Sequence, residues 1–554
     1  MQRDLMSDLT KPTPLHMTSP AEATWSSINL AEAVPGVMTP LTASVWVPAS
    51  ELGLREPFVA MGALPPHRRG IPQDPAEHIT GAFFGRMAVR VDFLCEMGDL
   101  IPGHSGEALA RDFFGFVPPD FHSRPSNRRL PFIAARYPRT LLTIGRRIDR
   151  LRVDTATWWG WEIAGMHLKD LAHAKRTAAE ARDRFFDALA AQAVISATVI
   201  QPVQDQLSKL AAAGGVDAAA LLRGSSHEEG AVLEDLWAAS RDSLDEAEFI
   251  RRHGYHGPGE GELATRVWRE DPEAVHALVQ RYRAKPDSES PHANAFDGLR
   301  QRAEAERRLF SSLSPAAAVR ARLVLRLARR YIPLRGTGKV SYLQSLDVLR
   351  AAARHIGAML VDAGRLADPE DAFYLTIDEL TGDVVADART DLATLLNARR
   401  LERRGYQAVA IPSAWTGQPT PQPTGTSDAT DDSETGLLSG IGACAGVVEG
   451  RAVVVHDPAE ADITDGDILI THTTDPSWVS LMFLSAGLVV DIGGLMSHAA
   501  VVARELGIPC VMNTKTGTTV LRTGDIIRVD GDAGTVQVLK SAHLSTATLE
   551  RTSR

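Results

Sequence analysis

The chain reads as an α+β multidomain protein, with a large, mainly helical body followed by a small C-terminal β/α domain. Three observations predict this. Long alanine-rich stretches, Leu171–Ala213, Ala295–Tyr331 and Leu343–Ala363, carry apolar residues at helical spacing. At Ser413–Thr435 the composition changes to Pro, Thr, Gly, Ser and Asp, with almost no apolar residues. From Gly436 onward the pattern switches to short Val- and Ile-rich runs separated by Gly and Asp.

In chain order, polar residues 1–23 are expected to form a flexible arm, and residues 24–412 a single mainly helical domain. Residues 413–435 read as a linker, flexible but stiffened in part by its prolines. Residues 436–541 read as the β/α domain, with strands at Arg451–Val455, Asp467–Thr471, Gly487–Asp491, Ile526–Val529 and Thr535–Leu539. Helices are expected at Trp478–Ser485 and His498–Leu506, and residues 542–554 form a polar tail.

Composition bounds the function. At 554 residues and 44% hydrophobic content, two to four domains with ample cores are expected. A net charge of −10 offers no general attraction to nucleic acid or to an anionic membrane. No apolar run reads as reaching the roughly 18 residues needed to span a bilayer. The first residues lack the apolar core of a signal peptide. Three cysteines (Cys95, Cys444 and Cys510) give neither a disulfide framework nor a paired metal spacing, so no metal site is expected and a reducing cytoplasmic setting fits best.

The most informative stretch is Asp491–Cys510. It places His498 where a helix is expected to begin, after Gly493, Gly494 and Ser497 and before Ala499 and Ala500. Ser497 is a natural N-cap, and Gly507 followed by Pro509 stops the helix. A histidine in a first helical turn stands among unpaired N–H groups at the positive end of the helix dipole, which suits a phosphate. A neutral imidazole is also a competent nucleophile near pH 7. Together these point to a histidine that takes up a phosphoryl group and passes it on, with Gly493, Gly494, Ser497 and Ala499 around the phosphate.

This stretch, with Gly442–Arg451, Thr473–Trp478 and Leu521–Gly531, resembles the phosphohistidine swivelling domain of the PEP-utilising enzymes: phosphoenolpyruvate synthase, pyruvate phosphate dikinase and rifampin phosphotransferase. Thr24–Thr42, Arg252–Glu260 and Asp368–Glu379 resemble segments of the drug-binding part of rifampin phosphotransferase. The resemblance implies an acceptor-binding helical body and a swivelling β/β/α carrier. Family enzymes also have an ATP-grasp domain that charges the histidine. Only about 23 residues precede Thr24, and Gly338-Lys339 lacks the rest of a phosphate-binding loop. The expectation is therefore that ATP and Mg²⁺ are bound by a separate ATP-grasp protein.

Two clusters are expected at the acceptor. Arg335 and Lys339 are four residues apart and would share a helix face, suiting them to hold a phosphoryl group in transit. Gly336 stands where the family has glutamate, and Gly338 weakens a helix. His253, His256, Glu260 and Glu262 lie in a glycine-punctuated segment, where His253 or Glu260 would take the acceptor's proton. Tyr255 and His256 depart from the family's histidine and arginine. Trp158, Trp159, Trp161, Phe185 and Phe186 read as core rather than as an acceptor pocket.

The leading expectation is a phosphotransferase that moves phosphate through His498 to a hydroxyl of a small apolar or aromatic acceptor. Two alternatives stand beside it: condensation or dehydration driven by phosphorylation, and a non-catalytic regulatory subunit marked by phosphohistidine.

Overall fold

A computed structural model describes residues 12–542, apart from residues 29, 31–32, 217, 224–226, 288–289, 384, 386–390, 424–436, 457–460, 462, 465, 475–477 and 494–496. Two compact units emerge. The first holds residues 1–202, 261–265 and 334–426; the second holds 203–260, 266–333 and 427–554. The helical body expected over 24–412 is thus divided. The reason lies in what its helices cover. Leu236, Phe249, Val275, Val279 and Tyr282 bury their side chains in the same apolar cluster as Leu469, Leu488, Ala500 and Cys510 of the C-terminal region. Helical periodicity reveals that a face is apolar, but not which neighbour it will meet.

In the first unit the helices Pro40–Met61, Leu130–Gly165, Leu171–Ile195 and Leu334–Asp362 pack together. The helix Leu171–Ile195 starts at Asp170, whose side chain accepts from the His173 N–H at 2.8 Å. It buries Ala174, Ala178, Ala181, Phe185, Ala188 and Ala191, a stripe of mostly small residues that lets a neighbouring helix approach closely. Gly338 fits this approach, because a Cβ there would lie only 1.9 Å from Gln192 Oε1. The helix expected to be weakened at Gly338 therefore runs through it, from Leu334 to Asp362. The run Leu171–Ala213 is long and apolar enough to cross a membrane, contrary to the expectation from its sequence. Half of its most apolar stretch is buried in the fold, as in a core helix.

A four-stranded sheet joins distant parts of this unit. Its order is β2 (Thr80–Phe83), β3 (Arg86–Arg90), β1 (Thr24–Ser26) and β5 (Ala414–Thr416). A two-stranded ribbon of β4 (Val409–Ala410) and β6 (Gln422–Pro423) flanks β5 in sequence. Residues 413–423 are accordingly built into the fold rather than forming part of a free linker, with Trp415 packed edge-on against Phe83 at 5.2 Å. Residues 424–435 of the expected linker lie outside the described residues.

Residues 12–23 also depart from the expected loose arm. Leu15, His16 and Ala23 are fully buried. Leu15 C=O accepts from the Gly85 N–H at 2.8 Å, and His16 Nδ1 accepts from the Phe84 N–H at 3.2 Å. The expectation came from polarity and prolines, which do not reveal a segment held by backbone hydrogen bonds. Residues 1–11 of the arm and 543–554 of the tail lie outside the described residues.

One buried carboxylate ties helix Pro40–Met61 to this sheet. Glu51 accepts from the Ile79 and Thr80 N–H groups at 2.8 Å each, from Thr80 Oγ1 at 3.1 Å and from Arg55 at 2.6 Å. Such an ion is tolerated inside only because every lone pair is occupied.

The second unit contains an eight-stranded sheet of order β7-β14-β13-β9-β10-β11-β12-β8. These strands are β7 (Leu437–Ser439), β8 (Ile441–Cys444), β9 (Val447–Val454), β10 (Ile468–Thr471), β11 (Gly487–Val490), β12 (Cys510–Met512), β13 (Ile526–Asp530) and β14 (Thr535–Lys540). Strands β9 to β12 are mutually parallel, and the remaining pairs are antiparallel. Strands β10, β11 and β12 are buried along their whole length, as continuous apolar runs in a parallel sheet should be. The helices Val479–Leu484 and His498–Leu506 link them, close to the positions read from sequence.

Two outcomes are expected. Glu51→Ala strands the buried Arg55 and two backbone N–H groups, and should cost the first unit about 3 kcal/mol or more in denaturant unfolding. Burial pushes the His16 pKa down from 6.5 to about 4, so the folded chain resists protonation there. The stability that neutral His16 supplies is complete above pH 6.5 and is lost as pH falls from 6.5 through about 4. The unfolding midpoint should drop between pH 7 and pH 5, and His16→Gln should flatten that dependence.

Candidate functional site

The parallel strands end at one edge of the sheet, and the residues that follow them there carry the chemistry. After β10 comes His472, after β11 comes Asp491, and two residues beyond β12 comes Thr514. Asp491 and Gly493 precede Ser497, which opens the helix His498–Leu506. Gly493 has φ 147°, in the region that favours glycine. Gly494 lies outside the described residues, as does the placement of the His498 side chain.

The helix start follows the sequence signals. Ser497 is the N-cap, in extended conformation, and its hydroxyl accepts from the Ala500 N–H at 3.3 Å. Gly507 closes the helix with φ 72°. Ala499, Ala500 and Ala503 are buried, and the last two press the short helix onto the apolar cluster beneath it. His498 is thereby the first helical residue, where the leading N–H groups have no carbonyl partner within the helix.

Asp491 is a buried anchor to which the sequence reading assigned no role. It is 1% exposed. Its Oδ1 accepts from Thr514 Oγ1 at 2.9 Å, and its carboxylate accepts from the Thr518 N–H at 3.2 Å and from the Thr518 hydroxyl. His472 Nδ1 lies 3.5 Å from Oδ2, and the His472 ring is more than half exposed. Burial pushes the Asp491 carboxyl up, but the donors His472, Thr518 and Thr514 outweigh it and hold its pKa below the ordinary carboxylate value. This anion ties the end of β11 to the segments that follow β10 and β12. The available signal was its place: a carboxylate directly after a fully apolar parallel strand.

The histidine–carboxylate residues of the 253–262 segment are resolved into pairs. His253 ends the helix Glu246–His253, with Nε2 2.8 Å from Asp235 Oδ2. Its Nδ1 is buried with no hydrogen-bond partner among the described residues. Burial lowers the His253 pKa, and the Asp235 hydrogen bond only partly offsets this, so the ring is neutral near pH 7. His256 Nδ1 lies 2.9 Å from Glu260 Oε2, and both side chains are buried. Tyr255 packs on the His256 ring at 4.3 Å. His253, His256, Glu260 and His498 all belong to the second unit.

Glu262 separates from this cluster. It belongs to the first unit and accepts from Thr39 Oγ1 at 2.7 Å and Thr42 Oγ1 at 2.6 Å, so it is a structural ligand of a helix start. Arg335 and Lys339 also lie in the first unit, in the opening turns of the helix Leu334–Asp362. That helix gives them the shared face expected from their spacing, and both are half-buried.

Among the aromatic residues, Phe185 is fully buried and Trp159 donates to the buried Asp347 at 2.8 Å, whereas Trp161 is exposed. Cys444 and Cys510 are buried opposite each other on β8 and β12. Among the described residues, no three His, Cys, Asp or Glu side chains gather as a metal site would require.

Comparison with known proteins adds to this geometry. Residues 463–534 match the family of the mobile domain of PEP-utilising enzymes, and residues 159–336 match the rifampicin phosphotransferase fourth domain. A rifampicin phosphotransferase of Streptomyces sp is 36% identical over 308 residues, covering 54% of this chain and 35% of its own length. That of Streptomyces sviceus is 33% identical, covering 54% and 34% respectively. An uncharacterised protein of Mycobacterium bovis is 31% identical, covering 52% and 30%. The matched regions thus span about a third of the length of these relatives.

Replacing the anchor tests its role. Asp491→Ala should leave Thr514 and Thr518 without their acceptor and cost about 2 kcal/mol or more in unfolding of the second unit. Ser497→Ala should cost about 1 kcal/mol. Asp491→Asn, which keeps the volume, should fall between wild type and Asp491→Ala.

Proposed function

We propose that this chain, which carries the mobile domain of the PEP-utilising enzymes and the fourth domain of the rifampicin phosphotransferases, is a phosphotransferase component that works through a phosphohistidine at His498. One observation carries the reading: His498 is the first residue of a Ser-capped helix at the carboxyl edge of a parallel sheet, within the stretch that matches the mobile domain. Unpaired N–H groups and the helix dipole stabilise the dianionic phosphoryl group there.

In the first step an imidazole nitrogen of His498 bonds to a phosphorus of ATP as the bond from that phosphorus to its leaving oxygen breaks. ATP and Mg²⁺ are assigned to an ATP-grasp partner. In the second step an acceptor hydroxyl oxygen bonds to that phosphorus, the N–P bond breaks, and the electron pair returns to the imidazole. The hydroxyl proton needs a base, and His253 and Glu260 are the residues proposed for it. The neutral state of His253 supports this role. Arg335 and Lys339 are proposed as the cations that hold the phosphoryl group in transit, a role resting on their charge and shared helix face. The acceptor proposed is a small apolar or aromatic hydroxyl compound, and the setting proposed is cytoplasmic.

Full-length protein incubated with an ATP-grasp partner, ATP and Mg²⁺ should gain one phosphoryl group on His498, seen by mass spectrometry at alkaline pH and lost on acidification. His498→Ala should abolish both the modification and any product. Full product formation by His498→Ala would refute the reading.

A further inference from the structure

The acceptor's proton has two proposed takers, His253 and Glu260, and their surroundings differ. Glu260 is buried and engaged, with Oε2 2.9 Å from His256 Nδ1. A carboxylate accepts hydrogen bonds and does not donate them, so His256 carries a proton on Nδ1. His253 is arranged the other way round. Its Nε2 lies 2.8 Å from Asp235 Oδ2, while its Nδ1 is buried with no hydrogen-bond partner among the described residues. By the same reasoning the neutral ring carries its proton on Nε2 and keeps a bare lone pair on Nδ1. A buried acceptor atom without a donor is unfavourable, and a hydroxyl placed beside it relieves that.

Asp235 is itself held. It lies on the helix His227–Ser240, and Arg252 Nη1 donates to its two oxygens at 3.2 and 3.3 Å. Arg252 Nε donates in turn to Glu248 at 2.7 Å. Phe249 walls the His253 ring, with centroids 5.1 Å apart. Backbone bonds fix the turn that follows. The His256 N–H donates to the His253 carbonyl at 3.0 Å, and the Trp268 N–H donates to the His256 carbonyl at 2.7 Å. A Cβ on Gly257 would lie 2.7 Å from Val267 Cα, so glycine is what lets this turn sit so close to its neighbour. His253 also ends its helix, where the dipole favours a cation.

We propose that Asp235 is a positioning residue that keeps His253 in its Nε2–H form, so that Nδ1 is the atom that takes the acceptor's proton. The chemistry of this step rests on the phosphotransferase reading; the tautomer does not. As the hydroxyl oxygen bonds to the phosphorus on His498, its proton passes to His253 Nδ1. The N–P bond breaks and its electron pair returns to the His498 ring. His253 becomes an imidazolium, stabilised by the Asp235 carboxylate and by the end of its helix. Glu260 orients His256 and takes no proton in this step.

Two measurements on the full chain test this assignment. The first is nitrogen-15 NMR of histidine-labelled protein near pH 7. Wild type should show His253 protonated on Nε2 and bare on Nδ1. In Asp235→Asn, Arg252 holds the amide oxygen and the NH₂ group faces Nε2, so the ring proton should move to Nδ1. A bare Nε2 in wild type, or an unchanged ring in Asp235→Asn, overturns the assignment. The second measurement follows transfer from His498, phosphorylated with potassium phosphoramidate, to phenol and 2-naphthol as acceptor probes. Asp235→Asn and His253→Gln should each slow transfer about a hundredfold. Burial lowers the His253 pKa, as do His256 and Arg252, and Asp235 partly restores it. Asp235→Ala should therefore move the acid limb of the transfer rate to lower pH. Wild-type transfer rates in both Asp235→Asn and His253→Gln overturn the role of the pair. Absence of phosphate on His498, or of transfer from it in wild type, overturns instead the phosphotransferase reading and the base role with it, while the spectra still decide the tautomer.

Discussion

The buried carboxylate of Asp491 is the constraint on which the candidate site depends. An ion this well buried is costly unless its lone pairs are occupied. Thr514, Thr518 and His472 occupy them, and those residues come from the segments that follow β12 and β10. One anion therefore fixes three crossing points of the chain at the same sheet edge. Asp491 is held by these bonds, and Ser497 caps the His498 helix. Nine residues are too few to hold a helix in isolation, so it is packing of Ala500 and Ala503 onto the cluster beneath that keeps it formed.

The first unit solves a different problem by related means. Its long helices approach closely where small residues meet a neighbour, as Gly338 does at Gln192 and Gly53 at Leu189. Close approach leaves little room for polar groups, and several of those that remain are paired. Asp347 takes the indole proton of Trp159, Arg350 donates to the Glu262 and Leu263 carbonyls, and Glu51 takes two backbone N–H groups and a guanidinium. These pairs add geometric specificity to a core whose alanines alone would allow sliding. The short segment 261–265 belongs to this unit because its carbonyls and Glu262 carboxylate complete such pairs.

Sequence by itself determined the local features. The cap at Ser497, the stop at Gly507, the apolar runs of β10 to β12 and the first-turn position of His498 all follow from residue chemistry over a few neighbours. Tertiary structure decided everything that depends on which surfaces meet. It divided the helical body, because apolar faces in 227–283 are covered by the C-terminal region. It drew residues 12–23 and 414–423 into sheets and bridges, because backbone hydrogen bonding is indifferent to polar composition. It parted Glu262 from Glu260, two residues away in sequence, because one completes a helix cap and the other a histidine pair. It also made Asp491 an anchor, since its partners lie 19 to 27 residues away along the chain and converge only when parallel strands align their carboxyl ends. Short-range patterns record what each segment can do; which of those possibilities is realised depends on burial, and burial is a property of the whole fold.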